Sequence, residues 1–283
     1  MRRARRVDHE LIAGSAAHYE DAAYYSSTYE KRREDVAMYA SLAEAHRGDV
    51  LEYGCGNGRI TIPIAKVLTG SRQIVGVDLS RTMLADLRVR LGREDDRVSG
   101  RVAAKRGDMR RVRLNRRFGL VICPFNALLH LYTRVDVEQF LARVREHLAP
   151  RARFVFDVSM PVAEELARKP ERAYFTPRFK YPGVGLVRYS ERFDYEPLRQ
   201  VLFVSMRFEP QSGAPFMTPL AHRQFFPQEL EALLHYNGFE VLSIQGDFDG
   251  PATNESRTLV YTTRARPSAI RGSGRSPRPS RSG

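Results

Sequence analysis

Residues 50–64 read Val-Leu-Glu-Tyr-Gly-Cys-Gly-Asn-Gly-Arg-Ile-Thr-Ile-Pro-Ile. The first four residues have the composition of a short strand, whereas residues 59–68 carry apolar side chains at helical spacing. The turn between them has glycine at every second position, namely Gly54, Gly56 and Gly58. Glycine tolerates positive φ and has no Cβ, so this turn predicts a ligand that lies against the backbone at the positive end of the helix.

The glycine spacing distinguishes two kinds of nucleotide site. Dinucleotide-binding folds show G-x-G-x-x-G, which admits a pyrophosphate, whereas here the third glycine comes one residue earlier. Glu52 stands two residues before the first glycine, where an acid suits a ligand with a cationic amino-acid head. Asp78 ends the next apolar run, 20 residues after Gly58, where a carboxylate can accept hydrogen bonds from both hydroxyls of a ribose. Residues 107–109, Gly-Asp-Met, close a third strand-like run.

These three motifs, in this order and at this spacing, resemble those of the class I S-adenosylmethionine-dependent methyltransferases. The resemblance extends over residues 24–262. It implies an α/β fold with a Rossmann-like, doubly wound sheet of seven mostly parallel strands. It also implies an enzyme whose cofactor is S-adenosylmethionine.

The resemblance assigns roles to individual residues of the cofactor site. The acid before the glycines and the glycine backbone would surround the methionine part. Asp78 would hold the ribose, with Leu79 against the adenine, and Asp108 would hold the adenine amino group, with Met109 beside it. The implied cofactor-binding residues are Glu52, Gly54, Cys55, Gly56, Gly58, Asp78, Leu79, Asp108 and Met109.

A tyrosine-rich segment precedes the glycine turn, with five tyrosines between residues 19 and 39. Helical spacing from Tyr25 to Val36 predicts one helix that packs over the cofactor opening. In similar small-molecule methyltransferases such a segment places an aromatic and a basic residue near the cofactor carboxylate. Tyr25 and Arg33 are the candidates here, and a solvated amphipathic helix is the alternative interpretation.

The fourth strand, residues 118–123, leads into a loop where the methyl acceptor should meet the cofactor, because ligands gather at the carboxyl ends of strands in an open α/β sheet. Pro124-Phe125 lacks the leading Asn/Asp and the second proline of the methyltransferases that act on nucleobase or glutamine amino groups. This difference argues against a DNA-adenine or glutamine target. Asn126 in this loop is a candidate acceptor contact.

His130 and Tyr132 are the candidate catalytic residues of that loop. A hydroxyl acceptor needs a base, for which histidine is suited, whereas an amine acceptor needs only to lose its ammonium proton. Much of the rate of a methyl transfer comes from positioning the unprotonated acceptor. His130 as a packing or surface residue is the alternative interpretation.

A long insertion, residues 159–226, follows the fifth strand. It predicts a short helix near residues 162–168, a proline-broken loop and an antiparallel β meander. The meander consists of the runs 184–195, 200–208 and 217–226. This insertion should form a lid over the acceptor. Its candidate acceptor contacts are Arg188, Tyr189 and Arg223, with His222 and Gln224 as further polar candidates, although polar residues on an exposed sheet face would look the same.

The net charge of +13 suggests a nucleic-acid partner until the charges are located. Arginines in residues 2–6 and 264–281 carry ten of these charges. A further basic run, residues 101–117, has no interleaved aromatic residues for base stacking, so nucleic-acid contact is not expected. No apolar run is long enough for a signal peptide or a membrane span. We therefore expect a cytoplasmic enzyme with a small-molecule acceptor, no membrane partner and a possible homodimeric state.

The chain divides into segments by composition. We expect a basic tail (1–18), a helical cap (19–47), a methyltransferase core (48–158 and 227–263), the inserted lid (159–226) and a disordered basic tail (264–283). Two cysteines, Cys55 and Cys123, exclude a disulfide scaffold and are expected to be buried and reduced. No Cys/His cluster has metal-ligand spacing, so no metal is expected.

Three functions remain open from the sequence. The first is methyl transfer to a nitrogen or oxygen atom of a small molecule, plausible in specialised metabolism. The second is methylation of RNA or protein, with the basic tails as a docking surface. The third is a non-catalytic α/β protein or a nicotinamide oxidoreductase, against which the early third glycine and Glu52 argue.

Overall fold

The computed structural model describes residues 8–267 of the chain. The helices in this range are α1 (His9–Ala16), α2 (Ala22–Tyr29), α3 (Glu34–Ala45), α4 (Thr61–Val67), α5 (Arg81–Leu91), α6 (Asp96–Ser99), α7 (Arg134–His147), α8 (Ala163–Leu166) and α9 (Pro227–Tyr236). The strands are β1 (Val50–Tyr53), β2 (Ile74–Asp78), β3 (Val102–Arg106), β4 (Phe118–Cys123), β5 (Leu148–Ser159), β6 (Tyr174–Tyr181), β7 (Gly185–Glu196), β8 (Val201–Pro210), β9 (Phe216–Arg223), β10 (Phe239–Gly246), β11 (Gly250–Pro251) and β12 (Thr258–Ala265).

The main sheet has the strand order β11-β10-β12-β5-β4-β1-β2-β3. Strands β1 to β5 pair in parallel, and β12 pairs antiparallel with both β5 and β10. The predicted α/β fold is therefore confirmed. The sheet has eight strands where the sequence predicted seven. The additional strand is β11, two residues that turn back against the end of β10 after left-handed backbone at Asp247 and Phe248.

Helices cover both faces of the main sheet. On one face, Phe140 of α7 and Leu230 of α9 belong to a cluster with Leu51 of β1. On the other face, Tyr39 of α3 and Ile64 of α4 pack in a second cluster with residues of β1, β2 and β4. Because both faces are buried, β1 is buried at all four positions, as is usual for a central parallel strand.

The insertion forms a second, antiparallel sheet in the order β6-β7-β8-β9. The sequence predicted its last three strands and, before them, a proline-broken loop, within which the structure has β6. Pro177 interrupts that strand, and the pairing with β7 shifts register between Thr176 and Phe179. An edge strand with a bulge tolerates the missing N–H of proline, which explains why this segment resembled a loop.

The N-terminal segment differs from the predicted single helix. Helix α2 ends at Tyr29 and α3 begins at Glu34, with the exposed residues 30–33 between them. Two acids, Glu34 and Asp35, occupy the first turn of α3 and favour a new helix start there. Helical structure also begins within the predicted tail, because Asp8 caps α1. Gly14 of α1 packs directly on the lid strand β9.

The predicted tails lie largely outside the described range. Residues 1–7 and 268–283 are not described, and the C-terminal tail predicted from residue 264 overlaps the last two residues of β12. Among the helices of residues 8–267, none combines the length and apolar composition that a membrane crossing requires. Within the same residues, His, Cys, Asp and Glu side chains form no group of three or more that could hold a metal ion.

Gly119 on β4 provides a test of this packing. A Cβ at Gly119 would lie 1.8 Å from the carbonyl oxygen of Arg47, and backbone cannot move aside as a flexible side chain can. We expect Gly119→Ala to lower the free energy of unfolding by about 3 kcal/mol, measured by urea denaturation. Gly92→Ala is the control, since its φ is −65° and its nearest atoms are at an ordinary 3.5 Å. Equal stability of the two variants would contradict the described contact.

Candidate active site

The glycine turn after β1 adopts the backbone that its sequence predicted. Gly54, Gly56 and Gly58 have φ of +73°, +52° and +82°. The N–H of Gly54 donates to the carbonyl of Val77 at 2.8 Å, which joins the turn to the end of β2. Gly54 is exposed, so the turn presents bare backbone at its surface. The side chain of Cys55 is buried beneath it, so only the backbone of Cys55 takes part in the turn.

Asp78 at the end of β2 is bonded to this turn. Its Oδ2 accepts from the N–H of Gly56 at 2.7 Å, and its Oδ1 accepts from the N–H of Ser80 at 2.8 Å. Burial raises the pKa of the carboxyl above its ordinary value, while these backbone bonds oppose that rise. Leu79 beside it is 61% exposed. A carboxylate with free lone pairs beside an open apolar side chain fits a nucleoside, with its ribose on Asp78 and its base on Leu79.

Glu52 lies beneath the turn and is fully buried. Among residues 8–267, its side chain accepts one hydrogen bond, from the Thr61 hydroxyl at 2.6 Å. Burial raises the pKa of Glu52 to about 8, so the carboxyl is largely protonated at neutral pH. Glu52 therefore brings little negative charge to the turn in this state.

Asp108 is engaged by a neighbouring arginine. Arg110 donates to both carboxylate oxygens of Asp108, with Nε–Oδ1 at 2.9 Å and Nη2–Oδ2 at 2.7 Å, and its Nη1 bonds Asp136 at 2.7 Å. Burial alone would raise the pKa of Asp108, but the bonds from Arg110 hold it below its ordinary value. The carboxylate predicted to meet an adenine amino group is thus already part of an ion-pair network. Met109 beside it is half-buried against the core.

The cap brings Tyr25 to the site but leaves Arg33 outside. Tyr25 is buried, with its ring 6.1 Å from that of Phe125, whereas Arg33 is exposed. The buried cation beside Phe125 is Arg59, directly after the third glycine. Its guanidinium lies 4.6 Å from the Phe125 ring centroid and pairs with Asp35 of α3 at 2.5 Å. Arg59 was not among the residues predicted from the sequence, although its position directly after the glycine motif could have indicated a residue of this site.

The loop after β4 has strained backbone that the end of β5 holds in place. Phe125 and Asn126 have φ of +56° and +61°. Asp157 accepts from the N–H of Phe125 at 2.9 Å and from the hydroxyl of Tyr39 at 2.6 Å. Asn126 accepts from the N–H of Ser159 at 2.6 Å. The predicted acceptor contact Asn126 is therefore engaged in holding the loop, as is Asp157, which the sequence analysis missed.

His130 ends the same loop and bonds two tyrosines. The Tyr132 hydroxyl donates to the carbonyl of Ala221 at 2.9 Å, so its oxygen can only accept from Nδ1 of His130 at 3.3 Å. In the neutral imidazole, Nε2 is then the acceptor, and it takes the hydroxyl proton of Tyr19 at 2.7 Å. Burial, with a smaller effect from His18, lowers the pKa of His130 to about 4, so the ring is neutral at physiological pH.

His130 belongs to a cluster of packed rings, here called the histidine-tyrosine cluster, in which His18 and Tyr25 are buried and the other rings half-buried. Its members are His18, Tyr19, Tyr25, Tyr29, His130, Tyr132 and His222. Burial lowers the pKa of His18 to about 4 and that of His222 well below its ordinary value, while it raises the pKa of each tyrosine. Every ring is thus neutral at pH 7. Nδ1 of His18 and Nε2 of His222 are buried and have no hydrogen-bond partner among residues 8–267.

Three lid residues predicted to contact the acceptor form other bonds. Arg188 is exposed, with its guanidinium 4.3 Å from the ring centroid of Phe175. The Tyr189 ring lies in the lid core, and its hydroxyl bonds Glu191 at 2.5 Å. Arg223 pairs with Glu229 of α9 at 2.5 Å. From the lid, His222 joins the cluster instead, with its ring 5.1 Å from that of His130.

The basic run of residues 101–117 is partly neutralised. Besides Arg110, Arg113 pairs with Glu146 at 2.8 Å, and Arg116 pairs with Asp49. These pairs reduce the positive charge that the run offers to a phosphate backbone.

Comparisons with known proteins agree with this geometry. Residues 50–151 match a family profile described as a methyltransferase domain. A search of curated protein sequences finds no match to the chain. Among solved structures, the CcbJ methyltransferase from Streptomyces caelestis is 24% identical with a TM-score of 0.72, over 88% of this chain and 98% of that chain.

Two further structures share the fold. CalS10 from Micromonospora echinaspora, an amino pentose methyltransferase involved in calicheamicin biosynthesis and solved with bound S-adenosylmethionine, is 22% identical with a TM-score of 0.64, over 85% of this chain and 96% of that chain. The glycopeptide N-methyltransferase MtfA, in complex with S-adenosylhomocysteine, is 22% identical with a TM-score of 0.58, over 82% of this chain and 87% of that chain. Residues 50–151 thus match a methyltransferase domain, and the fold of the chain is that of solved S-adenosylmethionine-dependent methyltransferases.

Proposed function

We propose that this methyltransferase transfers a methyl group to a nitrogen or oxygen atom of a small molecule in specialised metabolism. The observation that carries the proposal is the histidine-tyrosine cluster, whose buried and half-buried rings are uncharged and lie after the carboxyl end of β4. Cap, core loop and lid all contribute rings to it. A site that the cap, the core loop and the lid line together suits a small acceptor better than the surface of a folded macromolecule.

The cofactor would lie along the glycine turn. Bound there, S-adenosylmethionine supplies an electrophilic methyl group on a sulfonium. Asp78 would accept hydrogen bonds from the ribose, Leu79 would pack on the adenine, and the exposed backbone of Gly54 would face the methionine part. Tyr25 would cover the methionine part from the cap. Asp108 would bind the adenine amino group only through the carboxylate lone pairs that Arg110 does not already engage.

The neutrality of the cluster selects the reactive form of the acceptor. An ammonium ion loses hydration among these packed rings, and the rings themselves carry no charge that would compensate that loss. An amine acceptor therefore enters in its unprotonated form, whose lone pair is free for the in-line displacement. The cluster contributes to rate mainly by desolvating and positioning the acceptor nitrogen.

Tyr19 and His130 would receive the proton that the acceptor loses. Because Tyr19 donates its hydroxyl proton to Nε2 of His130, the lone pairs of the Tyr19 oxygen face away from that bond and can accept. As the acceptor's N–H or O–H proton moves to the Tyr19 oxygen, the Tyr19 proton moves to His130. His130 would thus act through Tyr19 and not touch the acceptor. Tyr132 would hold the imidazole in the tautomer that this path requires.

The acceptors of structural relatives favour nitrogen over oxygen within this proposal. One relative acts on an amino pentose, and another is an N-methyltransferase of glycopeptides. RNA or protein is the alternative acceptor class, and the pairing of Arg110, Arg113 and Arg116 with acids weakens it. Turnover that falls steeply with ionic strength would favour that alternative. Binding of S-adenosylmethionine but not NADH, followed by a screen of small amines and alcohols at several salt concentrations, tests the proposal.

Asp78→Ala tests the assignment of the ribose. Loss of a charge-assisted acceptor should weaken binding of S-adenosylmethionine by about 2–3 kcal/mol, measured by titration calorimetry. Glu94→Ala is a control that removes one acid from a surface pair with Lys66. Affinity within twofold of the wild-type value in the Asp78 variant would mean that the ribose is held elsewhere.

Tyr19→Phe tests the proton path. Removal of the hydroxyl should lower kcat about 100-fold, while the affinity for S-adenosylhomocysteine, measured by calorimetry, stays within twofold. Tyr236→Phe is the matched control, because Tyr236 is 85% exposed on α9. Unchanged kcat in Tyr19→Phe would remove both Tyr19 and His130 from the path.

The pH profile gives a second readout of the same pair. Since the pKa of His130 is about 4, the imidazole is an acceptor throughout pH 6–9 and adds no inflection near 6.5. His130→Gln should therefore lower kcat without changing the shape of its profile in that range. An inflection near 6.5 that disappears in His130→Gln would show that His130 titrates at its ordinary pKa, contrary to its burial.

A further inference from the structure

We infer that Arg59 binds the carboxylate of the cofactor's methionine part. The inference rests on the proposed use of the glycine turn and adds a residue to it. Arg59 follows Gly58 directly, and its side chain is only 9% exposed. Its guanidinium lies 4.6 Å from the ring centroid of Phe125, and that ring lies 6.1 Å from the ring of Tyr25, so Arg59 is among the residues that surround the turn.

The donors of Arg59 are only partly used. A guanidinium carries five N–H donors in a rigid fork. Nη1 bonds Asp35 Oδ1 at 2.9 Å and Nη2 bonds Asp35 Oδ2 at 2.5 Å, so Asp35 takes the end of the fork. Nη1 also lies 3.4 Å from the carbonyl oxygen of Arg32. The side edge of the fork carries Nε, which is buried and has no hydrogen-bond partner among residues 8–267.

A buried, unpaired donor costs free energy, and this one belongs to a group that binds carboxylates through two parallel N–H bonds. The guanidinium plane is held on one side by Phe125, whose ring centroid lies 4.6 Å from Cζ. Asp35 fixes the direction of the fork. The side edge is therefore held in one orientation before a ligand binds, which reduces the entropy lost on binding.

Charge also favours a carboxylate at this edge. Among residues 8–267, Asp35 is the one acid that bonds Arg59. An amino-acid zwitterion would add one negative and one positive charge. Its carboxylate would meet the free edge of Arg59, and its ammonium would lie near Glu52, which can ionise in response. Arg33, the sequence candidate for this role, is exposed beyond the end of α2.

The test compares two ligands that differ in one group. Decarboxylated S-adenosylmethionine lacks only the carboxylate, so the ratio of its Kd to that of S-adenosylmethionine measures what the carboxylate contributes. Arg59→Lys keeps a cation beside Asp35 but has no planar side edge. We expect this variant to bind S-adenosylmethionine about tenfold more weakly and the decarboxylated ligand within twofold of the wild-type protein.

Two further variants keep the result interpretable. Arg32→Met is the matched control, because it removes an exposed cation 5.1 Å from the Phe125 ring, and it should leave the Kd ratio unchanged. Should Arg59→Lys not fold, the double variant Arg59→Gln with Asp35→Asn removes both buried charges together and should show the same loss of discrimination.

The outcomes separate this inference from the proposed function. A wild-type protein that binds neither ligand would contradict the cofactor site as a whole. A wild-type protein that binds both, with Arg59 variants that weaken both equally, would make Arg59 a structural residue and overturn the inference alone. If Arg32→Met instead weakens binding of S-adenosylmethionine but not of the decarboxylated ligand, Arg32 at the exposed edge of the cap would be the residue that binds the carboxylate, and the inference would be wrong.

Discussion

The left-handed backbone at Phe125 and Asn126 is the constraint on which the rest of the site depends. Non-glycine residues in this region each cost about 1–3 kcal/mol and persist only where surrounding bonds hold them. Here Asp157 and Ser159 at the end of β5 supply those bonds, at 2.9 Å and 2.6 Å. The strained turn directs the Phe125 ring toward Arg59 and the cap, and it starts the short helical turn that ends at His130. One loop thereby positions groups on both the cofactor and the acceptor side.

Helix α2 connects the two sheets through opposite faces. Tyr24 stacks on Tyr181 of the lid, with ring centroids 4.7 Å apart, and the Tyr181 hydroxyl bonds Asp21 at 2.8 Å. Tyr25 and Tyr29 point to Phe125 on the core side. Lid and core loop are thus packed on one short helix. A change at either face of α2 should reach both the cofactor and the acceptor.

Residue spacing, capping residues and hydrophobic periodicity predicted those parts of the fold that depend on neighbouring residues in the sequence. The glycine turn, Asp78 and the bounds of α9 and β10 follow from spacing, caps and periodicity, and the structure has them where they were expected. Strand β6 was missed because Pro177 gives the same signal in an edge strand as in a loop. Arg188 and Tyr189 show a different limit. Adjacent strand residues face opposite sides, and periodicity alone does not say which side meets the ligand.

The bonds of the histidine-tyrosine cluster join residues that are too distant in sequence to be paired from it. Tyr19 meets His130 across 111 positions, and Tyr132 meets the carbonyl of Ala221 across 89. Arg59 is a different case. Its position next to the glycine motif is visible in the sequence, but its burial results from contacts with Asp35 and Phe125, which the sequence does not show. Single-sequence reasoning therefore predicts the backbone of a local turn better than contacts between side chains that are distant in sequence.

The histidine-tyrosine cluster is assembled from three separate stretches of chain, and only His130 and Tyr132 come from residues 50–151. The remaining rings come from the cap and the lid, which carry none of the glycine motif. The cap ring Tyr25 also lies against Phe125, whereas His222 of the lid contacts the cluster only through His130. Substitutions at His222 can therefore reshape the proposed acceptor site while the glycine turn stays intact, which makes the lid the natural place for evolution or laboratory redesign of acceptor specificity.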